Sequence, residues 1–443
     1  MNRLLKHVQE QAPRHATPML RFGRVHSVTG LLIEATGLKA GVGELCYIYE
    51  DAQHSDRKIR AEVVGVRQGV SLLMPLNDPV GLRAGCWVRK TSRPLTIKVG
   101  SGLLGRIIDG NGAPLDGKGP LLLQEEQPVH NAPLSPLERR LIEEPLYTGV
   151  RAIDTFLTLG KGQRVGIFAG SGVGKSTLMS MIARNSSADI NVIALIGERG
   201  REVQEFIVDN LGEEGLARSV VVAVTGDQAA LNRVKGASIA TAIAEYFRDQ
   251  GHDVLLMMDS VTRVAMAQRE IGLATGEPPT TRGYPPSVFA LLPRLLERGG
   301  SNQHGTITGI DTVLVDGDDF NEPIGDAVRG ILDGHIVLSR KLAHANHFPA
   351  IDILQSVSRV MSRIVPREVL ELVGEARSLL ATYREAEDLI RIGAYKPGQD
   401  PQLDRALQVI DELNAFLRQG QHEVGEREPW KRLKAILERS HSG

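Results

Sequence analysis

The sequence has very little cysteine, no long apolar run and almost no excess charge of either sign. Its two cysteines, Cys46 and Cys86, cannot form a disulfide framework and have neither the spacing nor the histidine companions of a zinc site. We therefore interpret both as small hydrophobic residues. No stretch of about 18 apolar residues offers a transmembrane helix, and the N-terminus lacks the apolar core of a secretory signal. These absences predict a cytoplasmic protein that meets membranes only through partners.

The balance of charge and hydrophobicity is that of a globular protein. Lys and Arg number 52 against 53 Asp and Glu, which leaves a formal net charge of −1. Such a chain has no bulk field that would attract nucleic acid or an anionic membrane. Hydrophobic residues make up 42% and charged residues 24%, and 443 residues are too many for one ordinary core. Two or three folded domains are expected.

The first part of the chain has the pattern of a small β-domain. Short β-rich runs, such as Gly30–Ala35 and Leu45–Tyr49, are separated by Gly, Asp and Pro. This spacing is typical of a β-barrel or a sandwich. We assign residues 21–94 to an N-terminal β-barrel domain.

Residues 1–20 form a separate N-terminal segment. Leu4, Leu5 and Val8 share one helical stripe, which is compatible with a frayed terminal helix or with a helix that docks a partner. Our prediction is a partner-docking segment.

Beyond the β-domain, apolar runs alternate with helix-like patterns. Continuous apolar strands between helices indicate a mainly parallel sheet covered on both faces, and hence an α/β domain. The predicted strands are Val165–Phe168, Val192–Ile196, Val220–Val224, Val254–Met258 and Val313–Val315. We assign residues 95–365 to this domain, with a Pro-punctuated linker at about 120–147, and residues 366–443 to a C-terminal helical domain.

The strongest motif lies between the first of these strands and a helix-like run. Residues 169–177 follow the phosphate-binding pattern G-x-x-x-x-G-K-[ST], with Ala169 in place of the first Gly. The glycines let successive N–H groups point inward, and the following helix adds its positive end. Lys175 would reach the β- and γ-phosphates of ATP, and the Ser176 hydroxyl would bind Mg²⁺. The predicted triphosphate-binding residues are Gly170, Ser171, Gly172, Val173, Gly174, Lys175, Ser176 and Thr177.

Two acidic residues follow neighbouring strands. Asp259 ends the apolar run Val254–Met258, at the strand end where ligands of parallel sheets bind, and is the predicted magnesium-side acid. Glu198 follows the strand Val192–Ile196 and would reach the same edge. It can be the residue that orients and activates water, or an exposed acid in a charged turn. Spacing does not decide between these two interpretations.

Several motifs together resemble a known family, the rotary-type ATPases. This family includes the catalytic subunits of F- and V-type ATP synthases and the type III export ATPases, and the resemblance extends from about Phe22 to Tyr395. The export branch is the most similar. The segments that carry the resemblance are Phe168–Thr177, Gly197–Val203, Met258–Arg263, Pro285–Phe289, Asp316–Pro323 and Gly330–Val337.

The resemblance implies roles that spacing cannot supply. It makes Glu198 the catalytic carboxylate, with Arg199 beside it as a further catalytic residue. Phe348 would pack on adenine at a position where relatives usually carry Tyr. Arg359 matches the arginine finger, which the adjacent subunit delivers in this family. A homohexamer follows, because one chain carries both halves of the site. The implied fold is a central RecA-like P-loop domain with an N-terminal β-barrel and a C-terminal helical domain.

The implied function is Mg²⁺-dependent ATP hydrolysis that energises flagellar type III protein export by releasing and unfolding substrates. The implied partners are the regulator and stalk proteins of the export apparatus, chaperone–substrate complexes and the membrane-embedded export gate. Such a protein is cytoplasmic, lies peripherally at the inner membrane and binds no nucleic acid.

Four other functions are weighed against flagellar export. The ATPase of a virulence-type injectisome shares nearly every motif. A catalytic subunit of an ATP synthase differs in the segments after Glu198 and Asp318. A hexameric RNA helicase would need interleaved aromatic and basic residues that the barrel lacks. A scaffold that only binds nucleotide is disfavoured by the joint presence of Lys175, Glu198, Asp259 and Arg359.

One segment departs from the export pattern. Gly309-Ile-Asp311 stands where these relatives usually have Ala-Phe-Tyr. A carboxylate near a buried strand needs a partner or solvent, so we expect altered packing there.

Overall fold

The computed structural model describes residues 22–50, 58–77, 79–315 and 322–439. The chain divides between Leu95 and Thr96 into two compact units. The predicted docking segment 1–20 lies outside the described residues. Within the described ranges, no helix is both long enough and apolar enough to cross a membrane.

The first unit is a closed antiparallel β-barrel, so the barrel rather than the sandwich is confirmed. Its strand order is β1-β2-β5-β4-β3-β6, and β6 pairs back with β1. The strands are β1 Phe22–Thr29, β2 Leu32–Thr36, β3 Glu44–Tyr49, β4 Lys58–Arg67, β5 Val70–Pro75 and β6 Trp87–Pro94. Alternate side chains such as Ile33, Val63 and Leu73 point inward and are buried. Cys46 and Cys86 are free and buried here, and burial raises the pKa of Cys46 to about 12.

The second unit is built on a mainly parallel sheet, as predicted. The order of strands in this sheet is β19-β18-β12-β17-β15-β13-β14-β8. Two short strands are antiparallel to their neighbours: β16 pairs with β17, and β19 pairs with β18. In two further sheets of two strands each, β7 pairs with β9 and β10 pairs with β11. The strands of the whole unit are β7 Thr96–Val99, β8 Arg106–Ile108, β9 Glu125–Pro128, β10 Pro145–Leu146, β11 Leu159–Gly160, β12 Arg164–Ala169, β13 Ile190–Ile196, β14 Ser219–Val224, β15 Asp253–Asp259, β16 Gly300–Ser301, β17 Thr306–Leu314, β18 Gly334–Leu338 and β19 Val357–Ser358.

Helices cover this sheet and close its core. Every residue of β13 and of β14 is buried, which accounts for the unbroken apolar runs in the sequence. The helices are α1 Arg151–Phe156, α2 Lys175–Asn185, α3 Gly200–Glu205, α4 Gly212–Ala217, α5 Ala230–Asp249, α6 Val261–Ala274, α7 Pro286–Leu296, α8 Pro323–Ile331, α9 Arg340–His344, α10 Met361–Ile364, α11 Arg367–Arg391, α12 Pro401–Leu417 and α13 Pro429–Arg439.

The last three helices, α11 to α13, share a core with the sheet. Leu413 and Phe416 of α12 belong to the same buried cluster as Phe156 of α1. The rings of Phe156 and Phe416 meet edge to face, with centroids 6.4 Å apart. Helix α12 is thereby anchored to α1.

One predicted strand has the wrong bounds. The apolar run Val313–Val315 predicts a short strand, but β17 runs from Thr306 to Leu314 between β12 and β15. The segment Thr306–Thr312 was missed because Thr, Gly and Asp interrupt the apolar run. Asp311 lies in this segment with 4% of its surface exposed. Burial raises its pKa to about 7, against the opposing charge of Arg164.

Candidate nucleotide-binding and catalytic site

The phosphate-loop motif lies between the end of β12 and the start of α2. Gly172 and Gly174 have φ angles of 76° and 90°, in the left-handed region where glycine is favoured. Gly174 is the N-cap of α2. The first N–H groups of this helix are therefore directed toward the loop, as an anion-binding site requires.

Three predicted residues meet at the carboxyl ends of three parallel strands. Lys175 follows β12, Glu198 follows β13 and Asp259 ends β15. The Lys175 ammonium group donates a hydrogen bond to Asp259 Oδ1, and its Nζ lies 3.7 Å from Glu198 Oε1. The side chains of Lys175, Glu198 and Asp259 are 12%, 13% and 4% exposed. One partly buried cation thus lies between two carboxylates.

A threonine on the neighbouring strand orients the buried aspartate. Thr312 of β17 is fully buried, and its hydroxyl donates a 2.7 Å hydrogen bond to Asp259 Oδ1. The sequence does not reveal Thr312 as a site residue, because 53 positions separate it from Asp259 and a lone Thr in a strand has no distinctive pattern.

The surroundings of Glu198 perturb its acidity. Burial and the negative charge of Asp259 raise the pKa of Glu198 to about 7, while Lys175 opposes this shift. A hydrogen bond with Glu202 raises the pKa further, and the charge of Arg263 lowers it. A carboxyl group with a pKa near neutrality is well suited to accept a proton from water.

A small cavity adjoins these groups. Its lining consists of Ser176, Leu195, Glu198, Glu202, Val203, Phe206 and Asp259. Glu202 and Phe206 were not among the predicted site residues. Glu202 could have been found, because it lies four residues after Glu198, in the first turn of α3. Phe206 begins a π-helical segment, Phe206–Leu211, that follows α3, and π-helical turns are often associated with functional sites.

The predicted adenine-contacting residue lies against the phosphate loop. A Cβ atom placed on Gly174 would be 3.5 Å from Phe348 Cδ1 and 3.6 Å from its Cε1. Phe348 is 40% exposed, so part of its ring is available for contact. The N–H of Gln419 donates a 2.9 Å hydrogen bond to the Phe348 carbonyl.

The side chains of the two predicted arginines lie outside this cavity. The guanidinium of Arg359 donates to the carbonyls of Leu332, at 3.2 Å, and Arg329, at 3.4 Å. The side chain of Arg199 is 82% exposed and lies 3.4 Å from Glu202. Among the residues that the structure describes, neither arginine lines the cavity beside Glu198.

Three family descriptions match successive parts of the chain. The nucleotide-binding domain of the ATP synthase alpha/beta family matches residues 149–358. The beta-barrel domain of the same family matches residues 25–92. The T3SS EscN ATPase C-terminal domain matches residues 365–434.

Individual relatives agree with this assignment. A flagellum-specific ATP synthase of Bacillus subtilis (strain 168) is 58% identical over 405 residues, which cover 91% of this chain and 92% of the relative. A type 3 secretion system ATPase of Xanthomonas euvesicatoria is 52% identical over 399 residues, 90% of each chain.

A solved structure extends the likeness to the fold. The assembled ATPase EscN in complex with its central stalk EscO, from the type III secretion system of enteropathogenic E. coli, has a TM-score of 0.86 at 47% identity and covers 94% of this chain and 100% of its own. The chain therefore belongs to the ATP synthase alpha/beta family, in the branch of the flagellar and type III secretion ATPases.

Proposed function

We propose that this chain hydrolyses ATP to ADP and phosphate as a ring-forming ATPase that energises flagellar type III protein export. The observation that carries the chemistry is the meeting of Lys175, Glu198 and Asp259 at the edge of the sheet beside the phosphate loop. A carboxyl group whose pKa lies near neutrality beside this loop supports hydrolysis rather than nucleotide binding alone.

Each residue of this cluster has a distinct task. The ammonium group of Lys175 donates a hydrogen bond to Asp259. Phosphate oxygens compete for this ammonium group when ATP binds, since Lys acts on phosphates as a point charge. The N–H groups of residues 170–177 surround the same phosphates. Glu198 then orients water and accepts its proton as the water attacks the γ-phosphorus.

The residues near Ser176 fit a magnesium ion. Mg²⁺ prefers oxygen ligands, and it is bound by one or two protein groups together with phosphates and water. Ser176 and Asp259 supply a hydroxyl and a carboxylate to one small cavity. We assign the ion to these two residues, with Asp259 acting directly or through water. When bound, Mg²⁺ would offset negative charge on the phosphates.

The hydrogen bond from Thr312 gives the magnesium assignment a test. Thr312→Val keeps the shape of the side chain but removes the hydroxyl that orients Asp259. We expect the Mg²⁺ concentration for half-maximal ATPase to rise about tenfold, as for the loss of one hydrogen bond to a charged group. Thr312→Ser is the matched control and should behave like the wild type. An unchanged Mg²⁺ requirement in Thr312→Val would contradict the role of Asp259.

The adenine base is assigned to the exposed part of Phe348. The ring lies beside Gly174, so a base stacked on it would leave the triphosphate at the loop. Phe has the apolar face that stacking requires, without the hydroxyl of Tyr.

One further catalytic group, the arginine finger, would come from a neighbouring copy. Arg359 contacts carbonyls of its own chain rather than the cavity, which agrees with a finger that acts on the next subunit. We therefore propose a homohexamer in which Arg359 stabilises charge on the γ-phosphate of the adjacent site. Arg199 is proposed as a second cation for the phosphates. Its exposed side chain would have to move to reach them.

The proposed setting is inferred from the relatives. The EscN structure was solved as an assembly with its central stalk, and we propose an analogous stalk partner for this chain. Regulator proteins, chaperone–substrate complexes and the membrane-embedded gate complete the proposed set, at the cytoplasmic face of the inner membrane. The higher identity to the Bacillus subtilis flagellar protein than to the Xanthomonas secretion ATPase supports the flagellar system.

Removing the lysine of the phosphate loop tests the proposed function directly. Lys175→Ala deletes the ammonium group that contacts the phosphates, so we expect the dissociation constant of ATP to rise about 30-fold, with loss of turnover. Lys161→Ala is the matched control, because Lys161 is also partly buried and ion-paired, with Asp253 at 2.7 Å. The Lys161–Asp253 pair lies at the other edge of the sheet, because Asp253 begins β15 whereas Asp259 ends it. Near-normal ATPase in Lys175→Ala would refute the phosphate-loop assignment.

A further inference from the structure

Gln419 occupies a buried polar position behind Phe348. The residue is 5% exposed, and it follows α12 in the segment that leads to α13. Its side-chain Oε1 accepts a 2.7 Å hydrogen bond from the N–H of Arg151. Its Nε2 donates to the carbonyls of Gly149, at 2.8 Å, and Glu423, at 2.9 Å. The side chain is thus fixed by three backbone groups, two from the distant residues Gly149 and Arg151 and one from the nearby Glu423.

The same residue holds the carbonyl of Phe348 through its own backbone. The Gln419 N–H is the donor of the 2.9 Å bond to the Phe348 carbonyl. Because the side-chain bonds fix where the Gln419 backbone lies, they also fix where this donor points. The position of Phe348 beside the phosphate loop therefore depends on a glutamine 71 residues further along the chain.

Arg151 reinforces this arrangement. It is 3% exposed, and its guanidinium donates to the carbonyls of Phe416, at 2.9 Å, and Arg418, at 3.1 Å. It also pairs with the Glu423 carboxylate. These bonds fasten the residues on both sides of Gln419 to the start of α1.

The other end of the arrangement is the phosphate-loop helix. Gly149, which accepts from Gln419, has a φ angle of 75°. A Cβ atom on Gly149 would lie 2.3 Å from Asn185 Cβ, so the Gly149 turn packs tightly on the last residue of α2. Gln419 thus connects the segment that carries Phe348 to the helix that carries the phosphate loop.

We propose that Gln419 is a positioning residue that sets the distance between the base-contacting ring of Phe348 and the phosphate loop. This inference rests on the proposed function, since it assigns adenine to Phe348. It predicts that Gln419 contributes to the affinity for the adenosine part of the nucleotide and contributes nothing to the affinity for phosphates. A residue with a purely structural role would affect both parts alike.

The test compares a ligand that has a base with one that has none. In Gln419→Ala, the KM for ATP and the inhibition constant of ADP should each rise about tenfold, which corresponds to the loss of an ordered contact. The kcat should stay within about twofold of the wild type, and the inhibition constant of inorganic tripolyphosphate should not change. Gln421→Ala is the matched control in the same segment. Its side chain donates to Asn210 instead, and its constants should equal those of the wild type.

A double-mutant cycle with Phe348 completes the experiment. Phe348→Ala should reproduce the selective loss of ADP affinity, and adding Gln419→Ala should cause little further loss, since both changes remove the same contact. Equal weakening of ADP and tripolyphosphate in Gln419→Ala, unchanged ADP affinity, or fully additive effects in the double variant would each overturn the proposal. Failure of the wild type to bind either ligand would instead refute the proposed function.

Discussion

Glu198→Gln is expected to retain Mg-ATP and to lose hydrolysis almost completely. The amide keeps the size of the carboxyl group and its place 3.7 Å from Lys175, but it cannot accept a proton from the attacking water. General-base catalysis by a positioned side chain is worth about 10²- to 10⁴-fold in rate, so we expect kcat to fall by at least about 10²-fold. Single-turnover hydrolysis and equilibrium binding of ATP would separate the two effects.

The matched control for this variant is Glu202→Gln. Glu202 lines the same cavity and affects the pKa of Glu198, but it is not the proposed base. It should retain most of the turnover and shift its pH dependence. Normal hydrolysis by Glu198→Gln would reduce Glu198 to an acid in a charged turn, the other interpretation that the sequence allows.

The raised pKa of Glu198 links this residue to stability as well as to rate. The folded-state pKa of about 7 lies above the ordinary value of 4.5. The protonated carboxyl therefore contributes stability that is fully present below the unfolded-state pKa and is lost as the pH rises through 7. Gln cannot ionise, so the variant does not lose this stability as the pH rises. The unfolding temperature of nucleotide-free Glu198→Gln, relative to that of the wild type, should therefore increase from about pH 5 to about pH 8. In the wild type, kcat/KM should rise over the same interval as the base loses its proton.

Local patterns explain why the phosphate loop was accessible from sequence. Strand, glycine loop, Lys175 and helix are adjacent in the chain, so their order already specifies the geometry around them. Asp259 was accessible for a related reason, because a carboxylate that ends a buried strand must emerge at the edge where the loop lies. The role of Glu198 was not decided by the sequence, which allows either a water-activating residue or an exposed acid. Spacing shows that it follows a strand, but it does not show burial or the proximity of Lys175.

Residues whose roles depend on contacts with distant parts of the chain could not be identified from local sequence patterns. A single Phe before Pro349 would be interpreted as a core residue, whereas the structure leaves Phe348 40% exposed beside Gly174. Thr312 and Gln419 are unremarkable in sequence, because their importance comes from the atoms that they contact. The segment Thr306–Thr312 of β17 was missed because a strand buried between two others can tolerate Gly309 and Asp311 where its neighbours supply the packing. Tertiary context decides in each of these cases.

Arg359→Ala is expected to abolish most hydrolysis while leaving ATP binding largely intact. A finger that acts on charge developing in the transition state is worth about 10³-fold or more in rate. Within its own chain Arg359 contacts the carbonyls of Leu332 and Arg329, so a change in local structure must be excluded. Arg363→Ala, four residues later on the exposed surface, is the control and should keep wild-type turnover. An Arg359→Ala protein that is fully active, or one whose defect is confined to binding, would refute the assignment.

Mixing two inactive variants tests whether the site is shared between copies. Glu198 and Arg359 would lie on opposite sides of one subunit interface. When an Arg359→Ala subunit supplies Glu198 and its neighbour, a Glu198→Gln subunit, supplies Arg359, their junction has every wild-type catalytic group. When the two variants are mixed randomly in equal amounts, about one quarter of all subunit interfaces in a ring should be such junctions. ATPase activity should therefore reappear on mixing, although to a smaller extent if all sites must act in sequence.

Glu198→Gln mixed with Lys175→Ala is the matched negative control, because both defects lie on the same side of the interface and no junction is complete. Equal activity in the two mixtures, with mixed rings demonstrated by mass, would place the finger within its own chain.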